Sequence, residues 1–151
     1  MVERHRETRR IGLGYVTGFG LTRGAIASTV AHDAHNCMVV GALDRSGPAD
    51  MAAAVARLAE IGGGQVAVLA GRVLAEVPLP IGGLMSDKPV GVVAAEVEAI
   101  ERAATSALGV AIAAPFMHLS FLLLSVITEL RITDRGLVDV SRFELTGVSV
   151  S

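Results

Sequence analysis

The sequence holds no tryptophan, one tyrosine and four phenylalanines, so it has few platforms on which nucleic-acid bases could stack. It also lacks an excess of positive charge. Thirteen Lys and Arg stand against 15 Asp and Glu, a formal net charge of −2 that gives no general attraction for phosphates. The two shortages together exclude a nucleic-acid partner from the expected roles. The one cysteine, Cys37, cannot close an internal disulfide, and the first residues show no charged-then-apolar signal pattern with a small-residue cleavage site. A reducing, cytoplasmic setting is the expectation. At 151 residues the chain is too short for a complete (β/α)₈ barrel, yet long enough for a single domain over 1–151 with a buried core.

What is present is small and apolar. Hydrophobic residues make up 52% of the chain, a mixture typical of α/β or α+β proteins when it is rich in Ala, Val, Leu and Gly. Residues 103–128 contain no Asp, Glu, Lys or Arg, a run long enough to span a bilayer. Gly109, Pro115, His118 and Ser120 interrupt it, and its first part continues an amphipathic helix, so a buried helix or strand pair is expected and a membrane partner is not.

Along the chain, residues 2–10 form a basic, polar stretch in which Arg4, Arg6, Arg9 and Arg10 face Glu3 and Glu7, the pattern of a solvated tail. Three strands are predicted between residues 11 and 43, broken near 22–24 and around a His-rich stretch. Residues 44–50 are predicted to be a loop, and 51–61 a helix with Met51, Val55 and Leu58 on one face, stopped by three glycines. Two further strands meet at Ala70 and Gly71 as a tight hairpin and end at Pro78 and Pro80. A helix over 89–108 follows, opened by Ser86 and Asp87 and striped by Val93, Val97, Ile100, Ala104 and Leu108. Residues 116–127 are a buried segment of either type, and a turn at 134–136 leads to a closing strand. The expected fold is α/β or α+β: a mixed, largely antiparallel sheet packed with two or three helices.

The chemically densest stretch comprises Ser28, His32, Asp33, His35 and Asn36. Two imidazoles three residues apart flank a carboxylate; in a helical turn they share one side, in a straight strand they point apart. The spacing is compatible with metal ligation, with lining a substrate site, or with satisfied structural polar groups. A metal site needs three or four protein ligands, and His5 and His118 stand in no ligand pattern. Ser28 lacks the elbow motif of a hydrolase nucleophile. The glycines at 12–18 and 62–64 lack the spacing and placement of a phosphate loop and are read as turns or bulges. Met85, Met117 and His118 are expected in the core, and Cys37 is expected to be buried.

Several strings taken together, GFGLTRGAIASTVAHDAHNCMVVG, EIGGGQVAV, VLAEVPLPIGGLMSD, PFMHLSFLLL and RITDRGLVDV, resemble, in the same order, the C-terminal region of amidohydrolase-type adenine deaminases. The resemblance covers about 3–143. It implies hydrolytic deamination of adenine to hypoxanthine and ammonia by a metal-activated water, with Mn or Fe held in a separate barrel domain. The family's HxH pair is missing here, so no metal ligand and no cofactor is assigned to this chain, and the isolated chain is expected to be inactive. Ser28, His32, Asp33, His35 and Asn36 match the family's SxxAHDxHN string and are expected to shape the adenine pocket at the barrel mouth. The implied partners are that barrel, adenine, and other copies of the chain, since the surface that normally meets the barrel would be apolar. The alternative is a non-catalytic purine-binding or assembly module. Relative to the family, residues 44–50 are longer, Ser125 and Thr128 stand in place of prolines, and His118 replaces a small or amide residue.

Overall fold

The structure is a computed structural model that describes residues 1–148; residues 149–151, included in the expected domain, lie outside the described residues. Strands β1 (Ala25–Ser28), β2 (Met38–Gly41), β3 (Gly64–Leu69) and β4 (Arg72–Pro78) form a sheet in the order β2-β1-β3-β4. Strands β5 (Leu130–Thr133), β6 (Gly136–Asp139) and β7 (Glu144–Thr146) form a second sheet in sequence order. Every ladder is antiparallel. With helices α1 (Gly47–Glu60), α2 (Val90–Leu108) and α3 (Pro115–Phe121), the architecture is α+β, as the sequence indicated.

The larger sheet is covered on both sides, and its central strands explain how. β1 reads AIAS and is buried at every position, so it has no solvent face and its residues alternate between two cores. Ile26 joins Ala67, Ile100, Ala104, Leu108 and Leu119 on the side of α2 and α3. Ala27 joins Val66, Val68, Ala54 and Leu58 on the side of α1. Ala27 and Ala54 bring little volume to that second face, which lets α1 lie close to the sheet.

Helix α1 begins earlier than the predicted 51. The residues that suggested a loop are its opening: the Asp44 carboxylate accepts the Gly47 N–H at 2.7 Å, and Pro48 occupies the first turn, where its missing N–H costs nothing. Asp50, buried on this helix, accepts the Gly71 N–H at 2.7 Å and ties α1 to the β3–β4 hairpin. That hairpin closes through Ala70 and Gly71 with φ of +50° and +73°, the backbone that a two-residue primed turn demands.

Helix α2 buries Ile100, Ala104 and Leu108 on the expected stripe and ends at Gly109, whose φ of +79° forms a left-handed cap. Ser86 does not cap its start; its hydroxyl instead accepts the Lys88 N–H in the preceding turn. Gly109 and Pro115 split the charge-free run between the end of α2 and the short α3, and among the described residues no helix is long and apolar enough to cross a membrane.

Other expectations also fail. The first predicted strand, in 11–21, does not form: Ile11 makes one isolated bridge to Val2, and the rest is an extended arm with Leu13 and Tyr15 exposed. Its alternating pattern resembles a strand, but it joins no ladder of either sheet, although both have edge strands. Gly12 instead presses on β5 so closely that a Cβ there would stand 1.8 Å from the Thr133 carbonyl oxygen. Met85 and Met117 are 60% and 54% exposed, outside the core. His118 also faces solvent, on the outer side of α3, because the buried stripe of that helix is Pro115, Phe116, Leu119 and Ser120.

Candidate functional site

One end of the larger sheet gathers four chain segments. β1 leaves the sheet at Thr29, whose N–H donates to the Gly64 carbonyl at 2.9 Å as β3 enters. The Thr29 hydroxyl donates to the Gly83 carbonyl at 2.6 Å and accepts the Gly64 N–H at 2.8 Å, binding the loop after β4 to the same corner. Thr29 is buried, so these bonds are sheltered from competing water.

From this corner residues 31–36 make a tight turn before β2. The His35 N–H donates to the Ala31 carbonyl at 2.6 Å, and His35 itself takes a φ of +48°. The turn rests on α3, where the His32 N–H donates to the Ser120 carbonyl at 3.0 Å. His32 and His35 therefore share one side, with ring centroids 5.8 Å apart and nearly perpendicular planes. The His32 ring also lies 5.5 Å from that of Phe121. Asp33 is exposed at the tip.

The other two candidate residues lie beneath the turn. Ser28 is fully buried; its hydroxyl donates to the Val30 carbonyl and accepts the Val30 N–H, a local side-chain turn that leaves it unpaired with either imidazole. Asn36 is buried, and its side-chain oxygen accepts the Arg4 N–H at 3.3 Å. The five candidates thus separate into an outward group of His32, Asp33 and His35 and a bracing pair of Ser28 and Asn36.

His35 favours its neutral form. Desolvation, followed by the positive charges of His32 and Arg4, lowers its pKa below the usual histidine value, against a weaker pull from Asp33. Its Nδ1 accepts the Ala31 N–H at 3.4 Å, which leaves Nε2 as the nitrogen carrying the proton. A neutral imidazole of this tautomer offers one N–H donor. Nearby Cys37 is buried as expected, and that burial pushes its thiol up to about 11, so it is an inert core residue.

Sequence reasoning missed the segment that lies over the turn. Arg4 donates from Nε to the His35 carbonyl at 2.6 Å and from an Nη to the Gly82 carbonyl at 2.7 Å, while His5 donates from Nε2 to the Ala34 carbonyl at 2.8 Å. Glu3 accepts from the N–H groups of His5, Arg6 and Thr8 and from the Thr8 hydroxyl. The expected solvated tail is a folded loop anchored more than thirty positions away in sequence, and no local pattern in residues 2–10 announces that contact.

Among the described residues no group of three or more His, Cys, Asp or Glu is placed to hold a metal ion. The metal implied by the family resemblance therefore finds no fit among the described residues.

The family model for the adenine deaminase C-terminal domain matches residues 1–144. Among curated proteins, the chain is 51% identical over 148 residues to an adenine deaminase of Desulfatibacillum aliphaticivorans, covering 98% of this chain and 25% of that protein. It is 54% identical over 145 residues to one of Moorella thermoacetica and 52% identical over 147 residues to one of Brucella melitensis, covering 96% and 97% of this chain and 24% of each relative. The chain thus spans about a quarter of the length of the curated relatives it matches. On a match of this extent, the chain belongs to the adenine deaminase C-terminal domain family.

Proposed function

We propose that residues 1–151 act as a single C-terminal domain of an adenine deaminase, the reaction being adenine plus water to hypoxanthine plus ammonia, and that this domain shapes or covers the active site without carrying the metal chemistry. The observation that carries the reading is the match of nearly the whole chain, at about half identity, to one quarter of proteins named adenine deaminase. Most of each relative lies outside the matched part, and there the reading puts the barrel whose Mn or Fe would activate the attacking water.

In this reading the 32–36 turn faces the barrel mouth and forms part of the adenine pocket. The Nε2–H of His35 suits a purine ring nitrogen, the Asp33 carboxylate suits the exocyclic amine or a water, and the His32 and Phe121 rings, tilted by 44°, offer aromatic contact. Ser28 and Asn36 serve the pocket from beneath by fixing the turn. Ile81 and Met85, in the loop that carries Gly82, and Phe121 beside His32 give an exposed apolar rim suited to covering by the barrel. A chain lacking that cover would self-associate through the same rim. A cytoplasmic setting accords with the single reduced Cys37.

The test follows adenine loss in the ultraviolet with Mn²⁺ or Fe²⁺ and a chelated control. The purified chain alone should be silent, and mixing with a separately expressed barrel should restore turnover. In the mixture, His35→Ala should lower kcat/KM roughly tenfold, the scale of one lost hydrogen bond. Metal-dependent turnover by the chain alone would place catalytic ligands within it, and silence of the mixture would overturn the deaminase assignment.

A further inference from the structure

We infer that Arg4 is a positioning residue for the 32–36 turn: its guanidinium forks between the His35 carbonyl and the Gly82 carbonyl and locks the turn to the glycine loop after β4. That the turn so held is a wall of the deaminase pocket rests on the proposed function; the positioning itself does not.

The geometry is built around the guanidinium. Its two charge-assisted bonds, at 2.6 and 2.7 Å, reach two loops that touch through no strand ladder of their own. The Arg4 backbone N–H adds a third tie, to the Asn36 side chain. Gly83 makes the room: a Cβ placed there would stand 2.7 to 3.0 Å from the guanidinium atoms. Its neighbour Gly82 has a comparable positive φ, +66° against +76°, but a Cβ there would meet nothing within 4 Å. Backbone strain is thus similar at the two glycines, and only one is spaced for Arg4.

A lysine at position 4 keeps the charge but cannot fork, which separates electrostatics from geometry. Because His32, Arg4 and His5 all oppose a proton on His35 and Asp33 favours one, removing the Arg4 charge should raise the His35 pKa.

The test is amide exchange and His Cε1–H titration by NMR on the purified 151-residue chain, with no adenine and no barrel, so that a failed complementation assay has no bearing on it. In Arg4→Met and Gly83→Ala the His35 N–H should exchange about tenfold faster or more, on the scale of a lost hydrogen bond to a charged group, while Ile26 and Val66 keep their protection. Arg4→Met should also raise the His35 pKa. Gly82→Ala should leave both readouts as in the parent. Arg4→Lys should lose His35 protection yet keep its pKa low. If Arg4→Met fails to fold, Arg4→Lys and the two glycine variants decide alone. His35 protection unchanged in Arg4→Lys and Gly83→Ala, or lost equally in Gly82→Ala, would overturn the assignment.

Discussion

The two sheets use the same antiparallel ladder and end up with different solvent exposure. β1 is buried at every position and β3 at most, because helices cover both faces. β7 is exposed throughout and β6 is only half-buried; Ile132 of β5 is the part of the smaller sheet that reaches the main core. Backbone pairing alone therefore does not decide which part is firm. Coverage does, since apolar burial supplies the main driving force and a hydrogen bond contributes only about 1 kcal/mol net. The 32–36 turn grows out of the covered sheet, and Thr29 passes the order of that sheet on to it.

The largest break in this comparison is Ile26→Ala. Ile26 is fully buried among residues of α2 and α3, so its truncation should cost about 2–5 kcal/mol in urea unfolding. Leu145→Ala on β7 should cost less than about 0.5 kcal/mol, because that side chain is already 59% exposed. Equal losses would mean that the two sheets form one core. Next in size is Thr29→Val, which keeps the shape but removes the partner of both the Gly83 carbonyl and the Gly64 N–H. It should cost about 1–3 kcal/mol, the penalty for unpaired buried polar groups, and should loosen the 32–36 turn before the sheet.

The sequence revealed most where one local periodicity decided the outcome. The stripe of Ile100, Ala104 and Leu108 is legible because a helix with one buried face must repeat its apolar residues at that spacing. The Ala70–Gly71 turn is legible from two β-rich runs separated by two residues. The arm from Ile11 misled for a physical reason: alternation satisfies one strand's faces but says nothing of whether the segment pairs with a neighbouring edge. Pro48 misled because the same residue punctuates turns and opens helices. At the site, His32 and His35 stand out by residue type, and their approach to 5.8 Å follows once the segment is a turn. Arg4 and His5 were invisible because what gives them meaning is a contact across the fold, with a carbonyl that every residue possesses.

A smaller, stabilising change sharpens the account of the covered sheet. Ala70 is exposed and holds a φ of +50°, a conformation that costs an ordinary L-residue about 1–2 kcal/mol and asparagine less. Ala70→Asn should therefore raise stability by about 0.5–1 kcal/mol, read as a higher urea midpoint with an unchanged slope. A fall would show that the β3–β4 turn depends on Asp50 and Gly71 more than on its own backbone preference.

The most local effect concerns acid. Partial burial works against the Glu3 carboxylate, but the donors of Thr8, His5 and Arg6 outweigh it and bring its pKa to about 2 from an ordinary 4.5. A depressed folded-state pKa means that the unfolded loop takes up the proton first, so the Glu3 contribution is complete above about pH 4.5 and is lost as pH falls toward 2. His35, with its pKa also lowered, acts in a higher window: its neutral form supports the turn above the ordinary histidine value of 6.5, and that support fades as pH drops below it. Amide exchange across a pH series should therefore show His35 loosening first, Arg6 and Thr8 next, and Ile26 holding throughout. Simultaneous loss at all four would mean that the loop over the turn and the covered sheet open as one unit, and that the difference between covered and uncovered regions does not extend to the site.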